Sequence, residues 1–403
     1  ALKPSAAWAL RQAEQAYRDL DEFHDLTALA ELDSKNIERT ETFCRWADER
    51  IQARLPGAME RGLEPALACY FNFRHVFSAS ALCHALFVKI LAAFPDAAEA
   101  WYWETVAEAP DADLWLKRES MWSRYLRGAL PASGISARAF DSTEEPSAGK
   151  PVRPTSRAAT AWKAFSSLAD VVRALARPPS ERLAVMDESY NLAPVLAANQ
   201  RSSRFAGFNL NRLLQLAMPL ARWTDGSAAR RRAEALWEEV LADGSLRERA
   251  LFNGFNELPL IQDRLRYFFV EIVPAADFLH RLASRVLGCL RPGAIAATAM
   301  GRYWEKIVAS AARARGVPFV VYQHGEIGLR TMGPRSHNFW YYNDVDFSDV
   351  YLVYGEGQAR FCSEKYGSVG TRIRCVGSTT LDEVTRVRRD TDSRAAKHEL
   401  VFP

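Results

Sequence analysis

Two kinds of hydrophobic patterning divide this chain. In residues 1–68 apolar positions recur at helical spacing. Trp8, Leu10, Ala13, Tyr17 and Leu20 stand among Arg, Glu and Asp, which predicts an amphipathic helix. A second helix is predicted over Ile37 to Leu55, with Asp33 or Ser34 as its N-cap. Residues 66–96 are more apolar, carry Tyr70, Phe71, Phe73, Phe77 and Phe87, and stop at Phe94-Pro95-Asp96. A first strand is expected near Ala100 to Glu104 and another at Asp113 to Leu116. Residues 131–158 are rich in Pro, Ser, Gly, Thr and Ala without a hydrophobic period, and read as a linker or surface loop. Helical spacing returns at Trp162, Phe165, Leu168, Val171, Val172 and Leu175. Arg182 to Glu188 reads as a short strand ending in two acids, Asp187 and Glu188. Residues 203–300 are expected to be mostly helical. Arg230 to Leu241 and Ala250 to Phe255 have the alternation of exposed helices. Leu265 to Leu290 reads as one or two buried helices with a break or kink at Pro274.

From Gly293 onward the pattern becomes strand, helix, strand. Gly293 to Met300 is a short apolar run, followed by Gly301-Arg302-Tyr303 and a predicted helix over Trp304 to Arg315. Phe319 to Tyr322, bounded by Gly316-Val317-Pro318 and Gly325, is a run of β-branched and aromatic residues. That is the signature of a buried parallel strand. A polar, aromatic loop follows from Gly328 to Asn343, then a strand over Asp349 to Tyr354 and a helix over Gln358 to Tyr366 with Gly367 at its end. Strand Ile373 to Val376 leads through Gly377-Ser378-Thr379-Thr380 into a helix over Leu381 to Arg388, and Leu400 to Pro403 reads as the start of another strand. The predicted organisation is a helical region with first strands (1–130), a linker (131–158), an α/β domain with a parallel sheet (159–390) and the opening of a second domain (391–403).

Composition changes this picture little. The chain has 403 residues, 48% hydrophobic and 25% charged, with a net charge of +3, an ordinary balance with room for two or three domains. No nucleic-acid partner is indicated, because acidic and basic residues are mixed apart from Arg386, Arg388 and Arg389. Six cysteines without CxxC spacing read as reduced and buried. No apolar run is expected to reach the ~18–20 residues that span a bilayer. The expectation is a cytoplasmic protein, in contact with the inner membrane face only peripherally.

Candidate chemistry sits at the predicted strand ends, where open α/β sheets bind ligands. Gln323-His324-Gly325-Glu326 follows one such strand; a polar turn with a capped His is the plain alternative. Asp187 and Glu188 follow another, although a solvated turn or helix cap explains them more simply. Arg302, at a predicted helix start, suits a phosphate or carboxylate. Gly377, Ser378 and Thr379 form a turn that binds an anion or merely caps the next helix. His75 and His84 lie nine residues apart, too loosely placed for a metal site.

The succession of Gln-His-Gly (323–325), Asp-x-Tyr-Leu-Val-Tyr-Gly-Glu (349–356) and Val-Gly-Ser-x-x-Leu-Asp (376–382) resembles the second half of the N-terminal Rossmann-like domain of GT-B glycosyltransferases of bacterial surface and capsular polysaccharide assembly. These are similar in turn to UDP-N-acetylglucosamine 2-epimerases and teichoic acid glycerophosphate polymerases. The resemblance covers about residues 293–403. It implies two Rossmann-like domains around a cleft, the N-terminal one holding the acceptor, with the segment like Leu400 to Pro403 opening the second. A nucleotide sugar would be the substrate, a glycan, including a lipid-linked one, the acceptor, and no cofactor or metal would be needed. His324 would be the base, with Glu326 next and Asp187 or Glu188 third. Arg302, Arg330 and the turn at Gly377, Ser378 and Thr379 would contact anionic groups, while Gln323 and Gly325 would line the site. A glycosyltransferase, a related epimerase or glycerophosphate transferase, and a non-catalytic helical scaffold with a degenerate Rossmann half are the three readings.

Overall fold

The computed structural model describes residues 23, 26–55, 57–58, 61–104, 121–141, 168–186, 192–193, 196, 204–221, 226–323, 345, 347–366 and 372–378. Helices α1 (Leu26–Arg54), α2 (Pro65–Ala68) and α3 (Tyr70–Ala93) lead to β1 (Glu99–Glu104), α4 (Met121–Ala132) and β2 (Ser136–Asp141). Residues 168–175 are helical and precede β3 (Arg182–Val185). Next come β4 (Ala206–Asn209), α5 (Leu210–Ala221), α6 (Gly226–Ala242), α7 (Gly244–Arg249), β5 (Leu251–Phe252) and β6 (Phe255–Asn256). Helix α8 (Leu258–Tyr267) runs through a π-helical turn, Phe268–Ile272, into α9 (Val273–Leu290). The C-terminal part holds β7 (Ala294–Ala297), α10 (Tyr303–Arg313), β8 (Phe319–Tyr322), β9 (Val350–Val353), α11 (Glu356–Tyr366) and β10 (Arg372–Cys375).

The fold is α/β and rich in helix. Among the described residues six strands form one sheet in the order β10-β9-β8-β7-β3-β4, and every neighbouring pair is parallel. Ile295, Ala297, Phe319, Val321, Tyr351 and Val353 of this sheet join buried residues of α9 and α10 in one hydrophobic core. Local chemistry sets the connections. Gly316 takes φ 65°, Val317 N–H donates to Ala312 O (3.0 Å) and Gly316 N–H to Arg313 O (3.0 Å). This Schellman closure ends α10, and Pro318 then enters β8.

A second core is helical. Phe43, Phe73, Phe77, Phe268 and Phe269 are all almost completely buried. Phe43 meets Phe73 edge-on at 4.9 Å and Phe73 meets Phe268 edge-on at 4.8 Å. Each such ring contributes about 1.5–3 kcal/mol by burial, with more from edge-to-face geometry. Leu55, Leu67 and Tyr303 pack against both cores.

Several expectations need correction. Asp33 and Ser34 are not an N-cap: α1 begins at Leu26, and Asp33 instead pairs with Arg74 of α3 at 2.8 Å. The strand near Ala100 is present as β1, but it lies outside the main sheet and pairs in parallel with β2. That partner falls in the expected linker. Gly134 at φ 74° closes α4, and Ser136–Asp141 then take backbone partners along Glu99–Glu104, so pairing overrides a composition that looks irregular. Ala250 to Phe255 is no helix. Asn253 and Gly254 adopt φ 48° and 81°, the positive values of a tight hairpin turn, and join β5 to β6. The break expected at Pro274 is present as a π turn, Phe268–Ile272, which separates α8 from α9; Pro274 stands in the first turn of α9, and the π turn brings Phe268 and Phe269 into the core side by side. Strand β4 lies within a stretch expected to be helical. Helix α3, 24 residues long, is apolar enough by length and composition to cross a membrane, contrary to expectation, yet Phe73, Val76, Phe77 and Phe87 place it in the helical core. The strand expected at Asp113 to Leu116 and the helix over Leu381 to Arg388 lie outside the described residues, as do residues 1–22, 142–167 and 379–403.

Candidate functional site

Because the six strands are parallel, their carboxyl ends share one edge. Along the chain β4 is added on one side of β3 and β7 on the other. The order therefore reverses between β3 and β7, and that crevice is where open α/β sheets take ligands.

Met186 follows β3 and is buried; its N–H donates to Ala296 O at 2.9 Å. On the β7 side, Thr298 and Met300 are buried while Gly301 and Arg302 are exposed. Arg302 is the N-cap of α10, and its N–H donates to Glu305 Oε2 at 3.1 Å. One N-terminal N–H of this helix is thus held by the chain's own carboxylate, with the guanidinium left in solvent.

The edge continues at β8. Gln323 is 1% exposed. Its N–H donates to Leu352 O (2.8 Å), and its side-chain Oε1 accepts from Tyr354 N–H (3.0 Å). The Tyr322 and Tyr354 rings lie 5.7 Å apart. The Tyr322 hydroxyl donates to Gly377 O at 2.6 Å, at the turn after β10, where Gly377 has φ 81° and Ser378 is nearly buried. Gln323, Gly377 and Ser378 are therefore drawn together through two tyrosines. Arg302 stands at the β7 end, towards the switch point.

Asp187, Glu188, His324, Gly325, Glu326, Arg330 and Thr379 lie outside the described residues. What the topology fixes is where their segments leave the sheet. Asp187 follows Met186, His324 follows Gln323, and Thr379 follows Ser378. One strand lies between β3 and β8, and one between β8 and β10, so these exits are spaced about 10 Å apart. The spacing admits a ligand between neighbouring exits.

Sequence reading passed over the tyrosine pair. The signal was present: Val-Val-Tyr-Gln (320–323) and Leu-Val-Tyr-Gly (352–355) repeat an apolar pair, Tyr and a turn residue, with Tyr322 the last residue of β8 and Tyr354 the first after β9. It also passed over Asn209, which ends β4 and caps α5 by accepting from Arg212 N–H at 2.8 Å.

Other unusual groups serve packing. Burial raises the Asp48 carboxyl and the Cys44 and Cys69 thiols, and pushes Cys83 up to about 12. All belong to the helical part. His84 accepts or donates at Tyr125 Oη (2.9 Å) and stacks on Phe255 at 4.3 Å. Among the described residues no three His, Cys, Asp or Glu side chains converge as a metal would require. The six cysteines form no disulfide; Cys44, Cys69, Cys83 and Cys362 are buried, and Cys289 and Cys375 are exposed. Compared with protein-family models, curated proteins and solved structures, the chain matches none.

Proposed function

We propose that the chain is the acceptor-side, Rossmann-like part of a GT-B-type glycosyltransferase. It would move a sugar from a nucleotide sugar to a surface-glycan acceptor. One observation carries this reading: the parallel order β10-β9-β8-β7-β3-β4, which puts the carboxyl ends of β3, β8 and β10, each directly before a candidate site residue in the sequence, along one edge. In the reaction the acceptor hydroxyl attacks the anomeric carbon, the bond to the leaving phosphate breaks, and a base takes the hydroxyl proton. His324 is assigned as that base, since an unperturbed imidazole titrates near neutrality. Glu326, then Asp187 or Glu188, are next in line. Arg302, Arg330 and the turn at Gly377, Ser378 and Thr379 would offset charge on the leaving group. The nucleotide sugar enters as substrate and no metal is invoked. A lipid-linked acceptor would be met at the cytoplasmic membrane surface by peripheral contact.

A second reading, a scaffold with a degenerate Rossmann half, draws support from the helical core, whose perturbed ionisable groups are engaged in packing. Calorimetric titration of the complete encoded protein with a panel of nucleotide sugars, followed by label transfer to a glycan acceptor, separates the readings. Binding is expected, together with transfer that changes at His324 reduce. Binding with isomerisation but no transfer points to the epimerase reading, and no binding at all favours the scaffold.

A further inference from the structure

We infer that His280 is a proton-operated release for the turn at Arg61 and Gly62, which fastens the chain between α1 and α2 to α9 and α10. Arg61 Nη2 donates to Asp277 Oδ1 of α9, and Gly62 O accepts from Ser310 Oγ of α10 at 2.7 Å. Ala58 and Leu63, both fully buried in the core of the sheet, anchor the two sides of this turn. Movement is therefore confined to the turn itself, where Gly62 takes φ 61°.

His280 follows Asp277 by one turn on the same face of α9. It is fully buried, and neither ring nitrogen has a hydrogen-bond partner among the described residues. A neutral ring can occupy such a place, but a buried imidazolium needs an acceptor. Among the described residues, the charges that bear on the ring are Arg61 from the turn and Asp277 from α9 itself; α2, α5, α6 and α10, which also pack on α9, contribute none that shifts it. Asp277 is thus the carboxylate within reach, and both its oxygens are in use, Oδ1 by Arg61 and Oδ2 by Arg281 Nη2 at 3.1 Å. Arg281 is fixed on the same helix, whereas the Arg61 side chain is 28% exposed and can pass into water. A proton on His280 therefore displaces Arg61 from Asp277, and the turn lifts. Burial, then the Arg61 charge, hold the docked ring below the usual histidine value of 6.5, against the opposite pull of Asp277 and the Arg61 backbone. The lifted ring regains the usual value. Below about pH 6.5 the lifted form accordingly binds more protons and gains as pH falls, and well above it the effect vanishes.

The test is hydrogen–deuterium exchange of the whole chain, mapped by mass spectrometry at about pH 7.5 and about pH 5.5, the range over which histidine titrates, and corrected for the intrinsic pH dependence of amide exchange. Arg61 N–H, bonded to Gly57 O at 3.3 Å, and Leu63 N–H, bonded to Ala58 O at 3.0 Å, report on the turn. Their protection should fall several-fold at the lower pH while residues 73–87 of α3 keep theirs, as expected of a local opening. His280→Gln should hold the protection of the turn equal at both pH values. Should circular dichroism show that variant unfolded, His280→Leu replaces it. Asp277→Asn, which removes the shared acceptor, should lower the protection of the turn at both pH values. Equal protection of the wild-type turn at both pH values overturns the inference. So does a fall that persists without His280, which would assign it to another histidine, an equal loss across α3, or an Asp277→Asn turn as protected as the wild type.

Discussion

The side-chain oxygen of Gln323 accepts the backbone N–H of Tyr354 at 3.0 Å. This joins β8 to β9 one residue beyond Tyr322, the last residue of β8. Gln323 is almost fully buried, so removing its amide leaves a donor unpaired in the interior. Gln323→Ala should cost about 1–3 kcal/mol, read as a lower denaturation midpoint at unchanged slope. Unchanged stability with lost ligand binding would instead place the amide in the site itself.

Asp48 and Lys306 grip the same short helix from opposite ends. Asp48 Oδ1 and Oδ2 accept from Ala66 N–H (2.7 Å) and Leu67 N–H (2.9 Å), and Lys306 Nζ donates to Ala68 O (3.1 Å). Carboxylate at the amino end and ammonium at the carbonyl end is the favourable sense for the peptide dipoles. Since α1 bears Asp48 and α10 bears Lys306, α2 ties the helical core to the sheet. Burial nevertheless holds the Asp48 carboxyl well above its usual range, outweighing the two N–H donors. The sign follows. Between the unfolded value near 3.8 and the raised folded value, the folded state binds more protons, so stability falls as pH rises through that window. Urea titrations across this range should show the fall in the wild type, and Asp48→Asn should flatten it. A wild-type slope of opposite sign, or one unchanged by Asp48→Asn, would count against the assignment.

The strands of the sheet near the C-terminus were legible because buried parallel strands write themselves as short runs of β-branched and aromatic residues. Phe319–Tyr322 is such a run, ended by Gly316 and Pro318 on one side. Strand β4, Ala206–Asn209, was not legible: Ala-Gly-Phe-Asn has little strand preference, and pairing with Arg182–Val185 decides it. The same holds for β2, whose Ser136–Asp141 reads as loop until β1 is beside it. Asn253-Gly254 was legible in principle, since that dipeptide is a strong hairpin signal, but flanking helices masked it. For the candidate site, the exits of Gln323 and Ser378 along one edge could be foreseen from strand order. The tyrosine bridge between them could not, because hydroxyl-to-carbonyl contacts across 55 residues leave no local pattern.

Gly293 marks a close approach of backbones. A Cβ there would stand 2.9 Å from Ser180 O and 3.1 Å from Pro179 O, while Gly293 N–H donates to Arg182 O at 2.8 Å. Neither carbonyl can swing aside as a side-chain tip would. Gly293→Ala should therefore destabilise the chain by about 1–3 kcal/mol, the usual cost of forced overpacking. Gly301→Ala is the control, with open space around the new methyl and an expected change within about 0.5 kcal/mol. Equal melting of the two variants would remove the packing argument.

His324 directly follows Gln323 in the sequence. The Gln323 clamp and the Tyr322–Gly377 hydrogen bond hold the strand end. Changing His324 should therefore leave the fold intact. If His324 is the base that accepts the acceptor proton, His324→Ala should lower transfer by the complete protein about 10²–10⁴-fold, the usual worth of a positioned general base. Thermal melting should stay near the wild type. A variant that melts much earlier would show His324 to be structural. One that transfers normally would pass the role of base to Glu326, and Glu326→Gln would then carry the loss.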